Sequence, residues 1–297
     1  MNEIKTILVA GSGFMGSGIA QVSAAAGYQV LLWDVSVTYI QNALQKLESS
    51  LAARVEKGKM SEEEKNALLG RISPAEELEE AAKGADLIIE AVLEDLEIKR
   101  GIFRRCDGAA PRHAIFASNT SAIPIASLAQ ATARQDRFIG AHFFSPVPVM
   151  KLVEVVRGIK TSPETCETVK AYVESLGKVG VLVKDGPGFL INRIMHAFRQ
   201  EVFACLEEGV ATMEDIDTAV KLGLSHPMGP FELNDFAGLD IGMATIETLY
   251  NGFKDPKWRP NLTLKKLVEA GECGRKSGKG WYDYTTGEKR RREDIYL

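Results

Sequence analysis

Cysteine is scarce and scattered in this chain. Cys106, Cys166, Cys205 and Cys273 are the only four, and none forms a C-x-x-C pair or takes metal-ligand spacing with a histidine. No disulfide framework and no bound metal are expected, and four free thiols fit a reducing cytoplasm. Long apolar runs are missing as well. No stretch of about 18 uncharged apolar residues occurs, so no membrane-spanning helix is expected. The start, Met1-Asn2-Glu3-Ile4-Lys5-Thr6, runs directly into a strand pattern, with no charged and apolar leader before it and hence no expected export signal. Nor does either sign of charge dominate. The 36 basic and 40 acidic residues are interspersed and leave a net charge of -4, which gives no footprint for nucleic acid. The short run Lys289-Arg290-Arg291-Arg292, beside Glu293 and Asp294, reads as a solvated tail. There is no internal repeat and no low-complexity segment.

What is present is ordinary globular material, 45% hydrophobic and 26% charged, in 297 residues, a length that favours two domains. Residues 4–10 form an apolar run ending in Gly11-Ser12-Gly13-Phe14-Met15-Gly16. A helical pattern follows through Ala26 and stops at Gly27, and residues 28–34 read as a second buried strand. Strand, glycine turn, helix and strand make a βαβ unit with a right-handed crossover. Residues 37–71 are helical and charged, broken at Lys57-Gly58-Lys59 and restarted by the cap signal Ser61-Glu62-Glu63-Glu64, which predicts an exposed helical hairpin. Further strands are predicted at 86–92, 114–118, 138–144, 151–156 and 179–183. The alternation points to an α/β, Rossmann-type doubly wound sheet. At Asp185-Gly186-Pro187-Gly188 the texture changes. Beyond it the spacing is helical, with Ile191, Ile194, Met195, Phe198, Val202 and Leu206 on one stripe. The expected domains are therefore 1–185 and an all-helical 186–297.

Gly11, Gly13 and Gly16 fit G-x-G-x-x-G in the setting it requires, after a strand and before a helix. The first allows the tight turn, the second lets a pyrophosphate approach the backbone, and the third lets the helix pack on the strand. With Phe14 and Met15 between them, they predict a dinucleotide site at a helix N-terminus. Asp34, at the end of the second strand, can accept the ribose hydroxyls and would repel a 2′-phosphate, which favours NAD over NADP.

The chain has four histidines: His113, His142, His196 and His226. His142 falls at the C-terminal end of a predicted strand, where open α/β sheets bind ligands. Glu154 follows twelve residues later, beyond the turn Ser145-Pro146-Val147-Pro148. If the two strands fold back on one another, its carboxylate can orient the imidazole and raise its basicity. Taken alone, the pair fits a structural histidine as well as a catalytic one.

Taken in order, the motifs decide between the two. They run from Gly11–Gly16 through Glu90-Ala91-Val92-Leu93-Glu94, Ser118-Asn119-Thr120-Ser121 and His142-Phe143-Phe144-Ser145-Pro146. They continue with Leu152-Val153-Glu154, Asp185-Gly186-Pro187-Gly188-Phe189, Asn192-Arg193, Gly229-Pro230 and Gly238-Leu239-Asp240, and end with Gly274-Arg275-Lys276-Ser277-Gly278. The series resembles the L-3-hydroxyacyl-CoA dehydrogenase family over essentially the whole chain, most closely its short bacterial 3-hydroxybutyryl-CoA members. The resemblance implies that His142 is the general base, oriented by Glu154, for NAD-dependent oxidation of a 3-hydroxyacyl-CoA. Ser121 and Asn192 match residues that position the substrate oxygen and the histidine. Glu94, Lys99, Ser145 and Lys276 match cofactor contacts; without the family, Glu94 and Lys99 would read as solvated helix charges. Ser50 and Lys57 fall where the family's hairpin meets coenzyme A. Ser145 replaces an asparagine common in the family, and Ala122 replaces a second serine. A homodimer through the helical domain is expected both from the resemblance and from its many apolar positions, among them Leu222, Leu224, Phe231, Phe236, Leu239, Ile241 and Leu249.

Two enzyme alternatives and one other class compete. A 3-hydroxyisobutyrate or 6-phosphogluconate type would place a lysine on the helix opening the second domain, and residues 189–220 contain none. A relative acting on a free hydroxy or sugar acid would keep the His-Glu pair but not need the basic hairpin. A non-catalytic NAD-binding relative would have no reason to retain Ser121, His142, Glu154 and Asn192 together.

Overall fold

In the computed structural model, which describes residues 4–292 and Asp294, the chain divides into one unit up to Asp185 and another from Gly186. Residues 1–3, read above for a leader, and Glu293 beside the basic run lie outside the described residues.

The first unit opens with β1 (Thr6–Ala10), whose residues from Ile7 to Ala10 are wholly buried. A strand covered on both faces reads as a continuous apolar run rather than an alternating one. There follow α1 (Phe14–Ala25), β2 (Gln29–Trp33), α2 (Val37–Glu56), α3 (Glu62–Leu69), β3 (Ile72–Ala75), α4 (Leu78–Lys83), β4 (Leu87–Glu90), α5 (Leu96–Ala109) and β5 (Ile115–Ser118). The unit closes with α6 (Ile125–Ala129), β6 (Phe138–Phe143), β7 (Leu152–Arg157), α7 (Pro163–Ser175) and β8 (Val179–Lys184). The eight strands lie in the order β3-β2-β1-β4-β5-β6-β7-β8. Every neighbouring pair is parallel except β6 and β7, which are antiparallel. The expected doubly wound sheet is therefore observed. Its strand order reverses between β1 and β4, and the crevice at such a switch point is where open α/β sheets bind ligands.

Two readings need correction. β3 went unrecognised because its sequence, Ile-Ser-Pro-Ala, has no apolar run. It pairs only with β2, at the sheet edge, where a proline lacking its N–H is tolerated. The α2–α3 hairpin is not wholly exposed: Ile40, Leu47, Leu51 and Leu68 are buried in the core of this unit. Its restart is as read, since Ser61 and Glu64 form a reciprocal capping box.

The second unit contains α8 (Ile191–Glu207), α9 (Met213–Gly223), α10 (Pro230–Ala237), α11 (Leu239–Phe253) and α12 (Leu262–Glu269), and no strand among the described residues. Phe203, Phe231, Leu239, Leu249, Trp258 and Trp281 share its core. The segment at Trp281 and Tyr282 is tied into that core by a carboxylate. Asp235 accepts the backbone N–H groups of Trp281 and Tyr282 at 2.8 and 2.9 Å, and burial pushes its carboxyl up to about 6 despite these bonds. The basic run is solvated only in part: Lys289, Arg290 and Arg291 are exposed, as read, but the Arg292 side chain is 4% exposed. Arg292 donates to Glu272 at 2.6 Å and to the Gly280 carbonyl at 2.7 Å and pairs with Asp294, while Lys289 pairs with Glu232. Glu272 and Glu232, outside the run and invisible to a local reading, hold these two side chains in place. Among the described residues no helix is long and apolar enough to cross a membrane.

Candidate active site

The glycine turn is built as its spacing requires. Gly11 has φ +111°, and a Cβ there would meet the Ala91 carbonyl oxygen at 2.5 Å; one on Gly16 would meet the Gly11 carbonyl oxygen at 1.8 Å. A Cβ on Gly13 would meet nothing within 4 Å, so this backbone is open to an approaching group. Gly13 is also the N-cap of α1 and supplies no side-chain acceptor, so the first N–H groups of the helix are available to phosphate oxygens. Asp34 faces this turn. Its Oδ2 accepts the Ser12 N–H and hydroxyl at 2.7 and 2.8 Å, and its Oδ1 accepts the Val35 N–H at 2.7 Å. The donor set fits a dinucleotide.

These residues line a cleft of about 970 Å³ that also takes in Phe14, Met15, residues 91–93 and residues 146–148. Ser50 lines it as well, together with Asn42 and Lys46 from the same face of α2. Asn42 and Lys46 escaped the sequence reading, although the regular spacing of four along Asn42, Lys46 and Ser50 was the signal available. Lys57, the C-cap of α2, is not among the lining residues, and neither is Ser145, which is exposed just after β6.

Beside the cleft, the end of β4 carries a charge cluster in which Glu90 and Lys99 are buried and Glu94 reaches the surface. Lys99 is 1% exposed, so the solvated-charge reading does not apply to it. Its Nζ donates to Glu90 Oε1 at 2.6 Å and lies 3.1 Å from Glu94 Oε2. Glu90, wholly buried, also accepts the Val92 N–H at 2.7 Å and the Ser118 hydroxyl at 2.6 Å. Burial pushes the Glu90 carboxyl up, against the pull of Lys99. At Glu94 the penalty of burial is outweighed by Lys99 and Thr120, leaving its carboxyl below the usual range. Glu94 Oε1 accepts the Thr120 hydroxyl and the N–H groups of Ser121 and Ala122, fixing the turn that carries Ser121.

His142 and Glu154 are direct partners in the antiparallel β6–β7 ladder, so both side chains leave the sheet on one face. Nδ1 of His142 lies 2.7 Å from Glu154 Oε2, with the side chains 6% and 0% exposed. An ionised carboxylate can only accept, so Nδ1 carries the proton and Nε2 the basic lone pair. The Asn119 side-chain oxygen accepts the Phe143 N–H at 2.9 Å, and its own N–H donates to the Glu90 carbonyl, joining the dyad's strand to the end of β4.

The other site candidates belong to the second unit. Asn192 stands in the first turn of α8, and Lys276, in a short turn of 3-10 helix, donates to Asp240 at 2.7 Å.

Residues 6–186 match the family model described as 3-hydroxyacyl-CoA dehydrogenase, NAD binding domain, and residues 188–284 match that of 3-hydroxyacyl-CoA dehydrogenase, C-terminal domain. A probable 3-hydroxybutyryl-CoA dehydrogenase of Bacillus subtilis is 49% identical, covering 95% of this chain and 98% of the relative. A 3-hydroxybutyryl-CoA dehydrogenase of Bradyrhizobium diazoefficiens is 46% identical over 95% and 96%. The crystal structure of an (S)-3-hydroxybutyryl-CoA dehydrogenase from Ralstonia eutropha superposes with a TM-score of 0.92 at 44% identity, covering 95% of this chain and 99% of that one.

Proposed function

The chain belongs to the 3-hydroxyacyl-CoA dehydrogenase family, and from that membership we propose that it oxidises (S)-3-hydroxybutyryl-CoA reversibly to the 3-oxoacyl thioester, with NAD as acceptor. The observation that carries the reading is the 2.7 Å bond between His142 and Glu154. NAD, when bound, would supply the acceptor for the hydride that leaves substrate C3. His142 takes the 3-hydroxyl proton at Nε2 as the hydride leaves, and Glu154 stabilises the imidazolium so formed. Ser121 and Asn192 orient the substrate oxygen, with Glu94 holding the Ser121 turn. Glu94, Lys99, Ser145 and Lys276 serve the cofactor, while Ser50 and Lys57 meet coenzyme A.

NADH formation is to be followed from (S)-3-hydroxybutyryl-CoA, its (R) isomer and free 3-hydroxybutyrate. Turnover of the (S) thioester alone is the expected result. Turnover of the free acid alone would keep the dyad and discard coenzyme A.

Choice of NAD over NADP rests on Asp34. Asp34→Ala is expected to weaken NAD roughly tenfold, the size of one or two lost hydrogen bonds, and NADP by much less. Titration of both dinucleotides checks it, and equal weakening would mean that Asp34 does not read the ribose.

The four cysteines are free thiols, which fits the cytoplasm. Within the second unit Phe231, Leu239 and Leu249 are buried, but Leu222, Leu224, Phe236 and Ile241 remain 57% exposed or more. A homodimer covering those four is the proposed working form. Light scattering at micromolar concentration should return twice the chain mass of 32.4 kDa, and a monomer would refute it.

A further inference from the structure

We propose that Glu90 gives the crevice end of β4 a net negative charge that favours the oxidised, cationic form of the dinucleotide over the neutral reduced form. The inference rests on the NAD-dependent reading above and deepens it.

Glu90, Glu94 and Lys99 set two carboxylates against one ammonium. Oε1 of Glu90 accepts both the Lys99 ammonium at 2.6 Å and the Val92 N–H at 2.7 Å, and this pairing with a buried ammonium favours the ionised carboxylate against the cost of burial. The cluster also stands at the relevant end of the crevice. Asp34, at the end of β2, takes the adenosine ribose on one side of the glycine turn. The other half of a dinucleotide then extends across the switch point to β4, β5 and β6, where His142 waits. Residues 91–93, which follow Glu90, line the cleft there. Through Asn119, hydrogen bonds link the Glu90 backbone carbonyl to the Phe143 N–H and so tie this strand end, across β5, to the strand that carries the base.

A nicotinamide ring is positively charged when oxidised and neutral when reduced. A fixed negative charge beside it stabilises the first form only, making the bound couple harder to reduce and easing return of hydride to an oxo substrate. Glu90 acts here through Lys99 and the charge balance, as a positioning residue.

The test is the ratio of dissociation constants for NAD+ and NADH, read by ligand fluorescence or calorimetry without turnover. Glu90→Gln keeps the shape and cancels the excess charge. It is expected to shift the ratio against NAD+ by about three- to tenfold, the scale of one unit charge acting across a partly solvated crevice. Adding Lys99→Met to that variant restores the excess of one carboxylate, so the wild-type ratio should return even where both forms bind less tightly. If Glu90→Gln fails to fold, Lys99→Met against the double variant reads the same charge step. Equal weakening of both forms by Glu90→Gln, or a double variant that keeps the shifted ratio, would overturn the proposal and leave Glu90 a packing role. Failure of the unaltered protein to bind NAD would instead remove the reading on which this one rests.

Discussion

His142→Gln lowers kcat by about 10²- to 10⁴-fold and leaves NAD affinity within about twofold, the usual scale of a general-base contribution. Glutamine fills similar space and can still hydrogen-bond to Glu154, so the β6–β7 ladder is kept. What is lost is a ring nitrogen able to take the hydroxyl proton. The glycine turn and Asp34 follow β1 and β2, whereas the imidazole stands on β6, so cofactor binding should not follow kcat down. Steady-state kinetics with an equilibrium NAD titration separates the two. A variant within twofold of the parent in kcat would remove His142 from the mechanism.

Glu154→Gln should cost about 10- to 10³-fold in kcat, with little change in KM. The amide is nearly isosteric, but it has no charge to offset the imidazolium, and it can present an N–H where the ring nitrogen needs an acceptor. In a site where Glu154 is wholly buried, water cannot supply the missing charge. Coupling is the sharper readout. If Glu154 acts only through His142, the double variant is no slower than His142→Gln alone, whereas independent roles would multiply. Unchanged kinetics in Glu154→Gln would dissolve the dyad.

The two partners were legible to different degrees. His142 and Glu154 were each placed on a strand from the apolar runs alone. That they face each other depends on antiparallel pairing, which no local pattern encodes, and resemblance to the family was needed to give them roles. The glycine turn and Asp34 were legible because the βαβ unit is local. Lys99 was not: its helix surrounds it with charged neighbours such as Glu97 and Arg100, and only the fold brings the buried Glu90 against it. β3 failed for want of an apolar run. The C-terminal basic run was only partly read, because the acids that hold Lys289 and Arg292, Glu232 and Glu272, stand outside its own segment.

Direct pairing of His142 with Glu154 ties the alignment of this hairpin to the lengths of its strands. The flanking partners Gly140–Val156, Ala141–Val155 and Phe143–Val153 hold the alignment. Residues 144–151, which join the two strands, do not set that alignment, although Val147 is packed in the core and the Val147 and Met150 carbonyls accept from Lys178. One residue removed inside β7 shifts the alignment: it sets a valine opposite the imidazole and turns the carboxylate to the far face of the sheet. The lengths of the two strands are accordingly fixed by the dyad, and that of the connection by the cleft it lines and the core it enters.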